Sequence, residues 1–596
     1  MNKILLALVS ALLVLASGCG GSVGAPASTI LRGSTLPSDL SGLSSKFSMP
    51  PQDSNGWSIL TPSADSRLIY VSASGNDGTA KFYAPSSIEV GDPYNPVGPI
   101  LPYATIDAAL AQARAGYPDY ILLKRGDTWT HDAVIHLKAG RSATERSVLG
   151  YYGSTTARPT VLHNGVTLSW ASYSALVGIR FYASQRDPAS SDFVGFANVG
   201  DESGFDGLLG YGGSITGGVL IEDCWFDWFS GNVLQSPLNT YPALVDNIIR
   251  RNIFTNNYST KGHAQGLYSD RVSIWLEENI FDHNGWYKQG DTHFSDPAEG
   301  KATMFNHNTY FAEARDTVFR NNLFLRASSI GNKFTSNTTS GLNEEKVWNV
   351  LVDNNLYIEG EVGISLGGND DQKNGPRWRN IHVTNNVLMH IGRTQPTLRT
   401  LGWGLDVQDW DGGLVTGNIF TAWGDSTLSN NYAIWATGNM NDVSYTGNIV
   451  NITSGGPLVA FLGGAIQERI QFTGNDILTG NTGQLLSYSL ASNAGFGNNY
   501  LYSTRPQSQW FVVNGIYNSS LDLYRTTSGD TTSTAGKRNY ADPNRTIETY
   551  LTYLGYSTTD MDTLVALLRQ QSKFNWNTNL GAAAINSYIR AGFAPI

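Results

Sequence analysis

Apolar and polar positions alternate along this chain in units that recur over most of its length. Each unit has a segment of period-two alternation, then an asparagine, then two further apolar residues. The clearest units lie at 251–254, 278–281, 321–324, 354–357, 385–388, 417–420 and 447–450, and most follow the previous one after about 27 to 33 residues. Period-two alternation predicts strands, and asparagine tolerates the left-handed turn between two strands. The pattern predicts an all-β parallel β-helix in which each unit is one coil and stacked asparagines hydrogen-bond between coils.

The two ends of the repeat carry different patterns. On the N-terminal side, 105–113 has a capped helical pattern, and 120–129 follows as a strand and a turn. In the tail, apolar residues recur at helical spacing from Met561 to Leu568, and 582–591 is a further candidate helix. We therefore predict a β-helix over residues 65–515 and a C-terminal extension over 516–596 whose helices pack on it. Helix should be confined mainly to 105–115 and to the chain beyond 545.

The order of helix, strand and turn before the first coils resembles the start of many proteins of the pectin-lyase-like superfamily. In that superfamily a helix covers the first coil, and such a cap is needed because an open end exposes the core and unpaired strand edges. The resemblance covers about residues 68 to 515. It implies a right-handed parallel β-helix and a protein that handles a polysaccharide.

The first residues have the layout of an export signal. A short charged start is followed by an apolar run from Ile4 to Leu15 and by small residues before Cys19. This resembles a bacterial lipoprotein signal, which implies cleavage before Cys19 and lipid on its thiol; the alternative is an ordinary signal peptide cut near Ala25. Residues 1–19 are thus the predicted signal, and 20–64, rich in Ser, Gly and Pro, a flexible tether. We expect an exported protein, anchored by lipid in the cell envelope or secreted.

Composition narrows the classes of partner. The net charge is −10, and only 15% of the residues are charged, which argues against nucleic acid as the main partner. An anionic substrate would need a local cationic patch. Cys19 and Cys224 are the two cysteines, so lipidation of the first leaves the second without an intramolecular partner.

Candidate chemistry concentrates between residues 263 and 310. Four of the nine histidines of the chain lie here, beside aromatic rings that stack on sugar faces and polar groups that bind hydroxyls. The predicted substrate-binding residues are Trp286, Tyr287, His293, His307 and Tyr310.

Aligning the coils on their asparagines sharpens this choice. Four residues after the asparagine come His283, Arg326, Glu359 and His390, and eleven residues after it come His263 and Lys333. Equivalent positions on nearby coils should form columns spaced by about 5 Å. We therefore predict that His263, His283, Arg326 and Lys333 line one groove; the alternative is a solvated column of polar residues.

The segment 326–334 looks like the base-bearing stretch of the lyase family that contains alginate lyases and chondroitinase B. That family has Asn-Lys-Ser, with the lysine removing the C5 proton of the sugar; here Asn332 and Lys333 match, and Phe334 replaces the serine. The resemblance implies Lys333 as the base. The family's acid, an arginine of the next coil, has no counterpart in 363–368, which leaves Arg326, His263 or Tyr268 as substitutes. The catalytic candidates are Lys333, Arg326, His263, Tyr268 and His283.

The proposed chemistry requires a base, an acid and a cation that neutralises the uronate carboxylate. A lysine serves as the base only when burial or neighbouring cations lower its pKa, and Arg326 is the predicted neighbour. Calcium often neutralises the carboxylate in such lyases. Asp291, Asp296 and Glu299 are the candidate oxygen ligands for it.

Three functions remain open from the sequence. The leading hypothesis is a polysaccharide lyase that cleaves a uronate-containing, acidic glycan by β-elimination. The second is a glycoside hydrolase on the same fold, which needs two carboxylates from the group Asp291, Asp296, Asp370 and Asp371. The third is a non-catalytic glycan-binding lipoprotein of the cell surface, because a fold does not fix a function.

Overall fold

The computed structural model describes a solenoid of parallel strands. It describes residues 38–200, 206–210, 217–235, 244–292, 297–335, 347–367, 378–423, 428, 430–452, 457–480, 483–489 and 494–596. Consecutive coils pair in parallel along three faces, which we call face A, face B and face C. Within one coil the chain passes face A, then face C, then face B; Val272–Glu277, Ile280–Asp282 and His307–Ala312 are one example. The predicted parallel β-helix is confirmed.

Each face is a ladder of short strands. The strands of face A are Leu68–Val71, Tyr120–Lys124, Ser147–Tyr152, Ser174–Val177, Leu220–Glu222, Leu244–Arg250, Val272–Glu277, Arg315–Arg320, Val347–Asp353, Trp378–Thr384, Trp410–Thr416, the end of Asn430–Thr446, Gln471–Thr473 and Gly495–Gly497. Those of face B are Ile135–His136, Val166–Thr167, Asp206–Gly210, Gly231–Gln235, Gln265–Asp270, His307–Ala312, Ile330–Thr335, Val362–Leu366, Leu401–Gln408, the start of Asn430–Thr446, Val459–Glu468, Leu486–Tyr488 and Phe511–Val513, with Ile516–Ser519 added antiparallel. Those of face C are Thr128–His131, Thr160–His163, Arg180–Tyr182, Trp225–Asp227, Ile253–Thr255, Ile280–Asp282, Leu323–Leu325, Leu356–Ile358, Val387–Met389, Ile419–Thr421, Ile449–Ile452, Asp476–Thr479, Tyr500–Ser503 and Thr534–Ala535.

Two further strand pairs lie outside the faces, and the helices lie near the ends. The pairs are the antiparallel Gly91–Asp92 with Asn95–Pro96 and the parallel Lys288–Thr292 with Lys301–Thr303. The α-helices of the described chain are Ile106–Leu110, Leu521–Ser528, Ile547–Tyr553, Met561–Arg569 and Ala582–Gly592. The 3-10 helices are Ser38–Lys46, Ala298–Gly300, Gln507–Gln509 and Thr578–Leu580. Helix therefore occurs in both predicted regions, and also in Ser38–Lys46 and Leu521–Ser528, which were not predicted.

The interior is filled by aligned side chains. Aromatic rings from successive strands of face C stack at centroid distances of 4.7 to 5.4 Å, and all are buried. The stacked rings are those of Phe181, Phe226, Phe254, Phe281, Phe324 and Tyr357. Burial of such rings is the main stabilising term of this core, at about 2 kcal/mol or more for each ring.

The predicted asparagine ladder is present. Asn252 donates through Nδ2 to Oδ1 of Asn279 at 3.0 Å, and Asn279 donates in the same way to Asn322 at 3.0 Å. The ladder continues at 2.9 to 3.2 Å through Asn355, Asn386, Asn418, Asn448, Asn475 and Asn499. Each side chain also satisfies a backbone N–H of the preceding coil, so these buried amides are fully bonded and fix the register.

The C-terminal extension lies against face C. The outward side chains of Ile253, Leu323 and Leu356 share a buried apolar cluster with Leu564, Leu568 and Ile585 of the helices. Asn586 donates to the backbone oxygen of Asn354 at 2.9 Å, and Arg569 forms an ion pair with Asp282. The helices beyond residue 545 thus cover the outer side of face C, whereas Ile516–Ser519 and Leu521–Ser528 pack at the end of face B.

Two boundaries differ from the prediction. The expected tether extends to residue 64, but residues 38–64 are packed on the body, because Leu40, Leu43 and Phe47 lie buried against the outer side of face A. Ser58 also donates to the buried carboxylate of Glu222. Coils continue beyond residue 515, since Thr534–Ala535 extends face C.

Residues 1–37 lie outside the described residues, so the structure says nothing about the signal or Cys19. Within the described ranges, no helix has the length and apolar character required to cross a membrane.

Candidate active site on face B

Five neighbouring strands of face B each contribute one outward-facing side chain to a single column. Tyr268, Tyr310, Lys333, Ser365 and Asp406 are register partners on consecutive coils, and we call them the site column. The core side of the same strands is apolar, with Leu267, Phe311 and Phe334 buried. Period-two alternation therefore places these five side chains on the surface side.

The ammonium of Lys333 lies along the column instead of extending into solvent. It donates to Ser365 Oγ at 3.1 Å and to the backbone oxygen of Gly367 at 2.8 Å. Burial lowers the pKa of Lys333, and the negative charge of Asp406 opposes that effect. Burial favours the neutral amine because a charge loses hydration there. Lys333 thus has the lowered pKa that a base requires, from burial and not from Arg326.

Asp406 completes a hydrogen-bonded chain from the lysine. Its Oδ2 accepts from Ser365 Oγ at 2.8 Å, so a hydroxyl bridges the carboxylate and the amine. Burial raises the pKa of Asp406, and the charge of Lys333 lowers it. The three residues stand on three consecutive coils and are electrostatically coupled.

Tyr310 and His307 flank the lysine on the other side. The ring of Tyr310 lies 5.6 Å from that of His307 and 5.4 Å from that of Tyr268. Burial and the charge of Asp270 raise the pKa of Tyr310, so the phenol keeps its proton at neutral pH. Burial, followed by the charges of Lys333 and Arg399, holds the pKa of His307 well below its usual range. His307 is therefore neutral at neutral pH.

Two loops border this part of face B. Buried Glu361 accepts from Arg399 at 2.7 Å and from Thr397, which fixes the loop between the strands Val387–Met389 and Leu401–Gln408. That loop accepts hydrogen bonds from Gln289 and Gly290 of the insertion before His307. His263 is exposed on a third segment, with its ring 5.4 Å from Phe305.

Glycines shape the strands beside the site column. A Cβ on Gly331 would lie 2.5 Å from the carbonyl oxygen of Gly363, and one on Gly363 would lie 2.7 Å from that of Gly404. Only glycine fits at such close backbone approach. These glycines are left out of the residue pairing between neighbouring strands. Gly331, Gly363 and Gly404 stand two residues before Lys333, Ser365 and Asp406, respectively.

The structure does not bring Arg326 and His283 to Lys333. Both follow strands of face C, where Arg326 binds both oxygens of Asp282 at 2.8 Å and its Nη1 lies 3.4 Å from Asp562 of the C-terminal extension. Burial lowers the pKa of His283 to about 3. Trp286 lies beside it, at a ring distance of 4.5 Å, in a cleft of about 770 Å³ under the extension. These predicted site residues therefore form a separate cluster.

The remaining predicted residues are dispersed or outside the description. Tyr287 packs among the rings of Phe196, Trp228 and Tyr258, and Glu299 is ion-paired with Lys288. His293, Asp296, Asp370 and Asp371 lie outside the described residues, as does the side chain of Asp291. Among described residues, no group of three or more His, Cys, Asp or Glu side chains could hold a metal ion.

Sequence reasoning missed several residues of this face. Ser365 and Asp406 belong to the site column, the ring of Trp403 lies on the strand of Asp406, and Tyr432 and Trp435 lie on the next coil, where Trp435 is the register partner of Asp406. The signal that was available is the repeat itself, because Trp403 and Trp435 stand one repeat apart.

A comparison with solved structures gives matches at low similarity. A GH136 lacto-N-biosidase from Eubacterium ramulus is 14% identical over 79% of this chain and 67% of its own, with a TM-score of 0.36. A mannuronic acid specific polysaccharide family 6 lyase from human gut microbiota is 12% identical over 79% and 93%, with a TM-score of 0.38. The family 28 exopolygalacturonase of Yersinia enterocolitica is 9% identical over 82% and 83%, with a TM-score of 0.36.

No protein-family model matches the chain. A search of curated proteins also gives no match. The function is therefore argued from the residues of this chain.

Proposed function

We propose that this protein is a polysaccharide lyase that cleaves a uronate-containing glycan by β-elimination on face B. The observation that carries the proposal is Lys333, a partly buried lysine whose pKa is lowered by burial and whose amine lies among hydroxyl-bearing side chains. β-Elimination needs such an amine to remove the proton next to the uronate carboxylate.

In this proposal Lys333 is the base and Tyr310 the acid. The neutral amine takes the C5 proton, and the glycosidic C–O bond breaks as the C4–C5 double bond forms. Tyr310 keeps its proton because burial raises its pKa, so it can protonate the leaving oxygen. Its register next to Lys333 puts the two groups one coil apart, about 4.8 Å along the axis.

The neighbouring residues bind the sugar. His307 is neutral, and its buried Nδ1 has no hydrogen-bond partner among the described residues. Tyr268, two coils from Lys333, adds a ring and a hydroxyl.

One pair of carboxylates on face B, Asp270 and Asp406, does not fit a hydrolase. Asp270 and Asp406 belong to strands four coils apart, about 19 Å at about 4.8 Å for each coil. Inverting hydrolases place their two carboxyl groups about 6.5 to 9.5 Å apart, and retaining enzymes closer still. This pair is too far apart for either arrangement.

A substrate screen tests the proposal. The protein is incubated with alginate, pectate, glycosaminoglycans and acidic bacterial exopolysaccharides, and the ultraviolet absorbance of unsaturated uronate is followed. We expect absorbance to rise for one of these classes and to be lost in Lys333→Ala, while the exposed Lys124→Ala, on face A, behaves as wild type. New reducing ends without absorbance would identify a hydrolase instead, and binding without products would identify a glycan-binding protein.

We further propose that the protein is exported and held in the cell envelope by lipid on Cys19. The layout of residues 1–19 supports this. Cys19→Ser should move the protein from the membrane fraction to the soluble extracytoplasmic fraction. Retention of the variant in the membrane fraction would contradict the lipid anchor.

A further inference from the structure

Three aromatic rings form a surface cluster beyond the site column. Trp403 and Trp435 stack with centroids 5.5 Å apart and planes 9° apart, and Tyr432 contacts both, at 5.9 Å and 4.3 Å. We call Trp403, Tyr432 and Trp435 the ring cluster. All three rings are partly exposed, whereas Leu405 and Ile434 of the same strands are buried.

This exposure separates the ring cluster from the stacked rings of face C. The stack from Phe181 to Tyr357 is buried inside the coils and contributes to the core. The ring cluster lies on the outer side of face B, where stacking keeps apolar surface at the solvent. Aromatic rings grouped at a surface are typical of ligand-binding sites.

The cluster also presents polar groups. The indole N–H of Trp403 is buried and has no hydrogen-bond partner among the described residues. Burial raises the pKa of Tyr432, with Tyr517 contributing, which places a second phenol close by. Tyr517 is 71% exposed on the strand Ile516–Ser519. Ring faces combined with hydroxyl and N–H groups are the chemistry that binds sugars.

The register fixes the distance of the ring cluster from Lys333. Trp403 stands on the coil of Asp406, two coils from Lys333, and Trp435 stands one coil further. At about 4.8 Å for each coil these distances are about 10 and 14 Å along the axis. One coil step is close to the length of one sugar residue, so a chain lying along the axis would reach the rings two or three residues from Lys333.

The coil between Lys333 and the ring cluster carries smaller side chains. Ser365 and Val362 occupy the positions that Asp406 and Trp403 occupy on the next coil, and both are buried. The ammonium of Lys333 donates to Ser365 Oγ, which donates to Asp406 on the coil of Trp403, so the site column is continuous up to the ring cluster.

We infer that the ring cluster is a distal sugar-binding subsite for the same acidic glycan, and that it makes the protein prefer chains of about four residues or more. This inference rests on the proposed function, because the subsite is placed relative to cleavage at Lys333. It assigns Trp403 and Trp435 to substrate length, and not to the chemical step.

The test uses the full-length protein and two panels of defined oligomers, alginate and oligogalacturonate, from two to eight residues. Dissociation constants are measured by calorimetry in the Lys333→Ala background for Trp403→Ala, Trp435→Ala and Tyr432→Phe. We expect binding of oligomers of five or more residues to weaken about threefold to tenfold in the tryptophan variants, the usual range for loss of one stacking ring. Binding of dimers and trimers should change less than twofold. Trp170→Ala removes an exposed ring that follows the face B strand Val166–Thr167, seven coils from Trp403, and is the matched control.

Three outcomes decide between the two proposals. If the tryptophan variants bind long and short oligomers as the parent does, or weaken both equally, the subsite is wrong. The subsite is also wrong if the parent binds no oligomer of either panel. If binding is length-dependent and requires Trp403, but the wild type yields no unsaturated product from any glycan, the subsite stands and the lyase proposal fails. Thermal unfolding midpoints within about 2 °C of the parent show that the variants fold.

Discussion

The site column of face B and the turns after face C each line up charged side chains, but they treat charge differently. His283, Arg326, Glu359 and His390 follow consecutive strands of face C, and all four adopt positive φ angles between 45° and 62°. We call these four the turn column. Its charges meet counter-charges within the protein: Arg326 binds Asp282 and Asp562, and Arg393 lies 3.3 Å from Glu548 and 3.7 Å from Glu359.

On face B the ammonium of Lys333 donates to two neutral oxygens, those of Ser365 and Gly367. The nearby carboxylate of Asp406 accepts from the Ser365 hydroxyl, which therefore lies between the two charges. A charge paired inside the protein is stabilised in its charged form and is poor at accepting a proton. A partly buried amine that has no directly bonded carboxylate has a lower pKa and can accept a proton in a reaction. The two columns therefore differ in their surroundings: the turn column attaches the C-terminal extension, and we propose that the site column binds the substrate.

The largest expected effect tests the site column. Lys333→Ala should lower the rate of uronate cleavage by about 10²- to 10⁴-fold, the usual cost of losing a general base. The free energy of unfolding should change by only about 1 kcal/mol, because the lost hydrogen bonds involve a partly buried group. Initial rates by ultraviolet absorbance and urea unfolding midpoints measure the two effects. A variant with wild-type turnover would make Lys333 a surface lysine and leave His263 with Tyr268 as the proton-transfer pair.

The next effect tests the turn column. Asp282→Asn leaves Arg326 and Arg569 without their shared carboxylate, and we expect a loss of about 3 kcal/mol in the free energy of unfolding at neutral pH. Burial raises the pKa of Asp282, but the charges of Arg569 and Arg326 lower it more and hold it below the value in the unfolded chain. The stabilisation is therefore present above the unfolded pKa, about 3.9, and is lost as the pH falls below it.

Urea unfolding from pH 7 to pH 2 measures this difference, which should shrink below pH 4. Cleavage by the folded variant should equal that of the wild type. A variant as stable as the wild type, but slow in catalysis, would place Asp282 and Arg326 in the active site and break the comparison.

The sequence predicted the fold well and the site in part, for a physical reason. The asparagine ladder fixes the register of face C, since each amide bonds the next coil, so residues a few positions later align as expected: His283, Arg326, Glu359 and His390 do form a column. The connection from face C to face B varies in length. It is short between Leu325 and Ile330 but contains an insertion between Asp282 and His307.

Counting eleven residues from the asparagine therefore paired Lys333 with His263, whereas its partners in register are Tyr310 and Ser365. The same variation hid Asp406, which sequence spacing alone does not align with Lys333. The N-terminal segment was predicted as a tether because its Ser, Gly and Pro content masks the few apolar residues, Leu40, Leu43 and Phe47, that pack on face A.

A smaller effect concerns the pH dependence of the site column. Asp406 favours the charged form of Lys333, so Asp406→Asn should lower the pKa of Lys333 further than burial already does. More of the amine is then neutral at a given pH, and the acidic limb of kcat/KM against pH should move to lower pH. Ser365→Ala is the control, because it removes the bridging hydroxyl and keeps the charge, and it should shift the limb less. An acidic limb that stays in place or moves to higher pH would show that it does not report a neutral Lys333. An alkaline limb that moves to lower pH instead would show that Lys333 acts in its charged form.

The smallest expected effect concerns Asp562, an exposed charge beside the turn column. Asp562 lies 3.4 Å from Nη1 of Arg326, but its side chain is 90% exposed, so water and salt screen the pair. Asp562→Ala should change the free energy of unfolding by at most about 0.5 kcal/mol, and cleavage should stay at the wild-type rate. The same urea and absorbance assays apply, with Asp282→Asn measured in parallel as the buried member of the network. If Asp562→Ala destabilised the protein as much as Asp282→Asn, attachment of the extension would depend on the exposed carboxylate of Asp562 as much as on the buried carboxylate of Asp282. If it slowed cleavage, the cleft under the extension would have to contact the substrate, and the division between the two columns would fail.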